Sequence, residues 1–412
     1  MTTTIELGLG EQELALRERA GRVIPGGMYG HMSVSSFSTA HPQFVVSGEG
    51  ARVWDADGRE YLDLMCSWGP MIIGHRHPAV TAAIVDQLGR GDCLDGMTPT
   101  AVEYAELLVD TVAAADWALF CKNGTDAMTT CVTTARAATG RRKVLVARGA
   151  YHGAVPGFAV RGEGVTAEDQ AHLVRYEYND LASAQAAADE AGSDLAAILV
   201  TPFRHDIKRD QEMVDPEFAR GLRALADRTG AVLVLDDVRA THRLDLAGSW
   251  EPLGVRPDLS AWSKPLANGQ PLGAVTGVDA LRGAVGRIYV TGSFWTGAVP
   301  LAAGLATLTE LRRGEALPTM ERAGSRLRAG LAAQAAAHGC TIRQTGPVQM
   351  PMLSFADDPD FRVVTAWAEA AVQRGVYLHP WHNWFLSSAH TDEVIDAILE
   401  RTDGAFAVVA GR

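Results

Sequence analysis

The sequence predicts an α/β protein with a mostly parallel central sheet and helices on both of its faces. A smaller α+β domain, built from the two ends of the chain, completes it. Three observations carry this. The middle of the chain holds short, near-continuously apolar runs at 117–121, 144–148, 195–200, 231–235 and 272–277, the pattern of strands covered on both faces. Amphipathic stretches separate them. One begins with Asp215 as N-cap and Pro216 at the first helical position, passes through Phe218, Leu222 and Leu225, and stops at Gly230. The ends of the chain lack this alternation.

Taken in order, 12–23 reads as a helix, followed by short strand-like pieces at 44–46 and 51–54. The turn Asp55-Ala56-Asp57-Gly58 leads into Tyr61-Leu62. Beyond Pro318 come helical patterns, a strand-like 351–355 and a last amphipathic helix over 391–407. These features divide the chain into 1–75 and 313–412, forming the small domain, and 76–312, forming the large one. No internal repeat or low-complexity tract occurs.

Composition excludes several classes of function. The 412 residues are 47% hydrophobic and carry a net charge of -12, with acidic and basic residues well mixed. Without a Lys/Arg run, nucleic acid and anionic membranes are poor partners, and a small soluble ligand is the expected one. Five scattered cysteines with no C-x-x-C pair argue against a disulfide framework and against a metal site, and point to the reducing cytoplasm. Residues 1–12 do not read as a signal peptide, and no apolar run approaches a membrane span.

Four places on the predicted sheet carry chemistry. Asn123-Gly124-Thr125-Asp126-Ala127 follows the strand ending at Cys121 and opens a helix running to about Gly140. Small and hydroxyl residues at a helix start expose amides to a phosphate, although an ordinary N-capped helix looks the same. Asp236 closes a strongly apolar strand, on the edge where open parallel sheets bind ligands. Its carboxylate needs a partner. A protonated pyridine nitrogen suits, and so do an N-cap role or a salt bridge to Arg239 or Arg243. Lys264 is one of only four lysines against 33 arginines. It follows an apolar stretch and precedes the loop 268–273, whereas Lys143 and Lys208 lie in polar, loop-like sequence. A lysine in an apolar pocket near other cations loses its proton easily and attacks carbonyls. Tyr151-His152-Gly153 leaves another strand, where the Tyr ring either stacks on a flat ligand or packs structurally.

This order of phosphate loop, Tyr-His-Gly, strand-Asp and Lys resembles the class III aminotransferases of pyridoxal-phosphate (PLP) fold type I, and by motif glutamate-1-semialdehyde 2,1-aminomutase in particular. The likeness extends over Ile24–Gly27, Ser67-Trp68-Gly69-Pro70-Met71, Gly74-His75, His77-Pro78, Tyr178-Asn179-Asp180-Leu181 and Asp236-Asp237-Val238. It continues through Pro271, Gly273, Ala274, Gly292-Ser293, Ala303-Gly304 and Ser388-Ala389-His390.

The resemblance implies PLP as cofactor and a role for each matching residue. Lys264 matches the Schiff-base lysine, which also moves the proton during catalysis. Asp236 matches the partner of the pyridine N–H. Val238 and Tyr151 would flank the ring, with His152 beside them, and Asn123, Gly124 and Thr125 would cradle the phosphate. Ser293 stands where the family has a Thr reaching the neighbouring subunit's phosphate, which implies a homodimer with shared sites.

Departures fall on the substrate side. The N-terminal loop reads Tyr29-Gly30-His31-Met32-Ser33, without the Arg that the aminomutase uses for a carboxylate. Thr201-Pro202 replaces the family's Glu-Pro, Lys122 replaces an Asn, and Trp381-His382-Asn383-Trp384 stands in a shortened C-terminal stretch. Trp68, Phe294, Trp295, Trp381 and Trp384 are candidates to line a substrate pocket, and Arg204 and Arg239 are candidate replacements for the missing cation. The expected activity is aminotransfer between an amino acid or amine donor and a keto or aldehyde acceptor, on a hydrophobic or specialised substrate. The alternative is an aminomutase.

Overall fold

The computed structural model describes residues 8–159 and 162–410. The chain divides into two compact units. One comprises 1–77, 207–210 and 315–412, and the other comprises 78–206 and 211–314.

The larger unit is built on seven strands: β1 (Trp117–Cys121), β2 (Lys143–Ala147), β3 (Leu173–Tyr176), β4 (Leu195–Val200), β5 (Val232–Asp236), β6 (Leu259–Trp262) and β7 (Gly273–Gly277). Their spatial order is β1-β7-β6-β5-β4-β2-β3. Pairing is parallel from β6 through β5, β4 and β2 to β3, and β7 runs antiparallel to both β6 and β1. The expectation of a mostly parallel sheet with helices on both faces holds, with β7 as its one reversed strand.

Strand residues alternate between two apolar layers. Leu145, Ile198, Leu233 and Leu235 share a cluster with Phe218, Leu222 and Leu225 of the helix Pro216–Thr229. Val144, Ala197, Leu199, Val232 and Val234 pack with Met128, Cys131 and Val132 of the helix Gly124–Thr139, called α1 below. Both faces being dry explains why these strands read as unbroken apolar runs. Burying each large aliphatic chain contributes about 1.5–3 kcal/mol relative to leaving it in water. The helix 216–229 is capped as its sequence dictates. The Asp215 side chain accepts from the Glu217 amide, and Gly230 ends the helix at φ +65°.

The smaller unit contains a four-stranded sheet, Val45–Glu49, Arg52–Asp55, Glu60–Asp63 and Val376–Tyr377, in that spatial order. Helices Glu11–Val23, Ala316–Ala337, Arg362–Gln373 and Asp392–Val409 also belong to it. Trp384 was expected to line a substrate pocket. It is instead 2% exposed and stacks on Trp367, with ring centroids 5.8 Å apart. No helix among the described residues is long and apolar enough to cross a membrane.

Candidate active site

The larger unit brings the four sequence signals to one end of its sheet. β5 delivers Asp236 as its last residue, 6% exposed. His152 Nδ1 lies 2.8 Å from Asp236 Oδ2, and the Val238 amide donates to Oδ1 at 3.2 Å. The His152 ring is buried, with Phe158 edge-on at 5.9 Å. Its Nε2 has no hydrogen-bond partner among the described residues. The carboxylate is therefore held through one imidazole N–H and one amide.

Lys264 follows β6 and starts a short helical turn, Lys264–Ala267. Its φ is +42°, in the left-handed region that a non-glycine residue enters at a cost of roughly 1–2 kcal/mol. Lys264 is half-buried as a residue. Burial, reinforced by the Arg239 and Arg243 cations and opposed by Asp236, pushes its pKa down to about 8. Lys264 is thus much closer to its neutral, nucleophilic form at physiological pH than an ordinary lysine.

The phosphate loop forms at the start of α1. Asn123 Oδ1 accepts from the Asp126 amide at 2.9 Å, so its side chain acts as the N-cap. The amides of Gly124 and Thr125 belong to the first turn, where no intrahelical acceptor exists. A Cβ on Gly124 would come within 2.6 Å of Val238, so only glycine lets this helix start pass that side chain. Thr125 Oγ1 accepts from the Ala154 amide at 3.0 Å, tying the helix start to the Tyr151-His152-Gly153 turn. Tyr151 is 44% exposed, and burial of the remainder raises its phenol pKa.

The remaining candidates are placed differently. Arg239 is pushed down to about 10 by burial, against the attraction of Asp236, Tyr151 and Asp206. Arg204 is buried, 2.7 Å from Asp206 and 3.8 Å from Glu212, so its charge already has carboxylate partners. Ser293 is exposed, on the same segment as the exposed Phe294 and Tyr289. Trp295 packs against the apolar layer containing α1. Trp68 and Trp381 belong to the smaller unit, where each ring touches histidines. His205 escaped the sequence reading. Burial and the charges of Arg239 and Lys264 hold its pKa well below the usual value, so it stands as a neutral imidazole near both cations. Its signal was a histidine just past Phe203-Arg204, a pattern too common to single out.

The set fits a flat, phosphate-bearing pyridine. It offers a helix start kept clear by glycine, a buried carboxylate, and an aromatic ring at a strand exit. A lysine of lowered pKa completes it. The family model for aminotransferase class-III matches residues 34–402. The chain belongs to the class-III aminotransferases. It is a PLP-dependent enzyme that moves an amino group between an amine or amino acid and a keto or aldehyde acceptor.

Among relatives, the aminopentol aminotransferase of Sphingopyxis macrogoltabida is 48% identical over 400 residues, covering 97% of this chain and 95% of the relative. The glutamate-1-semialdehyde 2,1-aminomutase of Bordetella avium is 33% identical over 427 residues, covering 96% and 98%. Among solved structures, the PLP internal aldimine form of the FumI protein of Sphingopyxis sp. MTA144 superposes with a TM-score of 0.95 at 48% identity, covering 97% of each chain.

Proposed function

We propose that this enzyme deaminates a specialised, largely apolar amine lacking the carboxylate that glutamate-1-semialdehyde presents, with the cofactor attached covalently to Lys264. The observation that carries the site assignment is the buried Asp236–His152 pair together with Lys264, whose burial lowers its pKa to about 8. Asp236 would hold the proton on the cofactor's ring nitrogen, and His152 would keep that carboxylate oriented. Asn123, Gly124 and Thr125 would receive the phosphate, while Val238 and Tyr151 would flank the ring. Bound there, PLP supplies an electron sink for the bonds of the substrate carbon. Lys264, once released by substrate, would take the proton from that carbon and return it to the cofactor side.

The substrate reading rests on what the recognition loop contains. His31 and Met32 occupy the loop where the aminomutase pattern has Arg, and Arg204 is committed to Asp206. A carboxylate without a charge-assisted partner loses roughly 1.5–3 kcal/mol. The 48% identity to an aminopentol aminotransferase points the same way, toward an amine without a nearby carboxylate. Trp68 and Trp381 are proposed to contact the substrate body. Arg239 remains the one cation proposed for any acidic acceptor.

We further propose a homodimer in which Ser293 reaches the partner's phosphate loop. Exposed Val85, Leu88, Leu94, Met97 and Phe294 supply the apolar surface that such an interface would bury. The cytoplasm is the proposed compartment, since all five cysteines are free thiols.

The test is turnover with a panel of amines and amino acids, using pyruvate as acceptor, beside glutamate-1-semialdehyde alone. Turnover of carboxylate-free amines with alanine as co-product is expected. Efficient conversion of the semialdehyde to 5-aminolevulinate without an external donor would overturn the proposal.

A further inference from the structure

A cavity of about 260 Å³ lies within the larger unit, between the segments that carry β2 and β3. Val146, Leu173 and Phe158 form its apolar side, continuous with the layer that packs on α1. Gly149, Ala150 and Ala159 also line it, and none has a side chain long enough to fill the space. At about 30 Å³ per water molecule, the volume accepts several waters or one small polyatomic ligand.

The polar part of the lining is His152, Arg148 and Arg175. His152 is 1% exposed, with Nδ1 2.8 Å from Asp236 Oδ2, which leaves Nε2 on the far edge of the ring. Nε2 is fully buried and has no hydrogen-bond partner among the described residues. Buried polar atoms are nearly always partnered, because an unsatisfied one bears its whole desolvation cost. The ring that carries this atom lines the cavity, so a ligand held there is the partner it calls for.

The arginines set the charge of that ligand. Arg148 is exposed and pairs with Glu177 at 2.9 Å, so its charge is largely answered. Arg175 is half-buried on β3, and its partner, Gln170 at 3.0 Å, is neutral. That contact uses one of the five N–H donors of a guanidinium. No acidic residue is among the described residues lining the cavity. Water would satisfy Nε2 but would leave the Arg175 charge without a counter-ion. An anion answers both.

We propose that this cavity is a binding site for a small oxyanion, held by Arg175 and by His152 through Nε2. The imidazole takes a second proton from solvent as the anion enters. His152 then donates from Nδ1 to Asp236 and from Nε2 to the ligand, and charge-assisted bonds of this kind are the strong ones. Asn123, Gly124 and Thr125, proposed above for the cofactor's phosphate, are not part of this lining.

Inorganic phosphate titrated into the holoenzyme tests the site, since the cofactor's own phosphate keeps the probe from the cofactor's place. Calorimetry should show saturable binding to wild type. Arg175→Gln should weaken that binding about tenfold and leave phosphate-free turnover unchanged. Histidine-selective 15N NMR of the wild type reads the second contact without relying on any variant's stability. Phosphate should move the Nε2 resonance of His152 from the position of a bare ring nitrogen to that of a protonated one. No saturable binding would overturn the site and leave the cavity to water. Binding that Arg175→Gln changes less than twofold, or that leaves the His152 resonance in place, would put the phosphate elsewhere and overturn it equally.

Discussion

The two units differ in what burial does to their titratable groups. In the larger unit, burial sets cations and carboxylates against each other. Lys264 is driven to about 8 and Arg239 to about 10, while Asp237, beside Asp236, is driven up to about 6 even though the Ser249 hydroxyl and amide both donate to it. In the smaller unit, burial extinguishes charge. His41 falls to about 4 and His379 to about 3, leaving both rings neutral. Lys264 is left closer to its neutral form at physiological pH, whereas the buried imidazoles of the smaller unit are neutral throughout that range. Proton transfer demands groups poised near the working pH.

The largest expected effect tests whether the tryptophans of the smaller unit divide into core and partly exposed positions. Trp384→Ala should destabilise the fold by about 3–5 kcal/mol, because it empties a packed position against Trp367. Trp381→Ala, at a half-buried position, should cost far less stability and act on KM. Denaturant unfolding of both variants checks the division, and equal losses of stability would erase it.

On the charged side, Asp236→Asn keeps the shape and removes the negative charge that His152 orients. Turnover is expected to fall by roughly 10²–10³, the scale of losing a buried electrostatic partner of the reacting group. Single-turnover kinetics locate the loss in proton abstraction. Near-normal rates would mean that another acid partners the ring nitrogen.

Much of the charged side was readable from sequence because its parts are local. Asn123–Thr125 sits at one helix start, Asp236 ends one strand, and Lys264 is one of four lysines. Short-range patterning and the order of motifs reveal such residues. The strands Leu173–Tyr176 and Leu259–Trp262 were not distinguished, since four-residue runs interrupted by Arg175 or Ser260 carry little apolar signal. The reversal of β7 left no mark either, because buried strands look alike in both directions. The contacts of Trp68 with His31 and His379 were hidden for a different reason. His31, Trp68 and His379 are separated by as many as 348 positions, and only tertiary structure brings them together. Trp381 and Trp384 lie three residues apart with the same side chain, yet one is half-buried and the other fills the core.

The smallest effect is one of pH, and it sharpens the contrast. Lys264 has a folded-state pKa of about 8 against an ordinary 10.5. Between these values the unfolded chain binds the additional proton, so apoprotein stability should rise with pH from about 8 to 10.5. Only the neutral amine attacks a carbonyl, so the rate of cofactor attachment should climb nearly tenfold per pH unit below about 8 and then level. Stopped-flow reconstitution of the apoprotein reads this profile. His379, already neutral, should give no comparable step between pH 6 and 9.

The central claim is that Lys264 carries the cofactor, and borohydride reduction of the holoenzyme followed by peptide mapping tests it most directly. The visible absorbance of the bound cofactor should vanish, and the reduced label should lie on the peptide containing Trp262-Ser263-Lys264-Pro265. A label on the peptide bearing Lys122 or Lys208 would contradict the account.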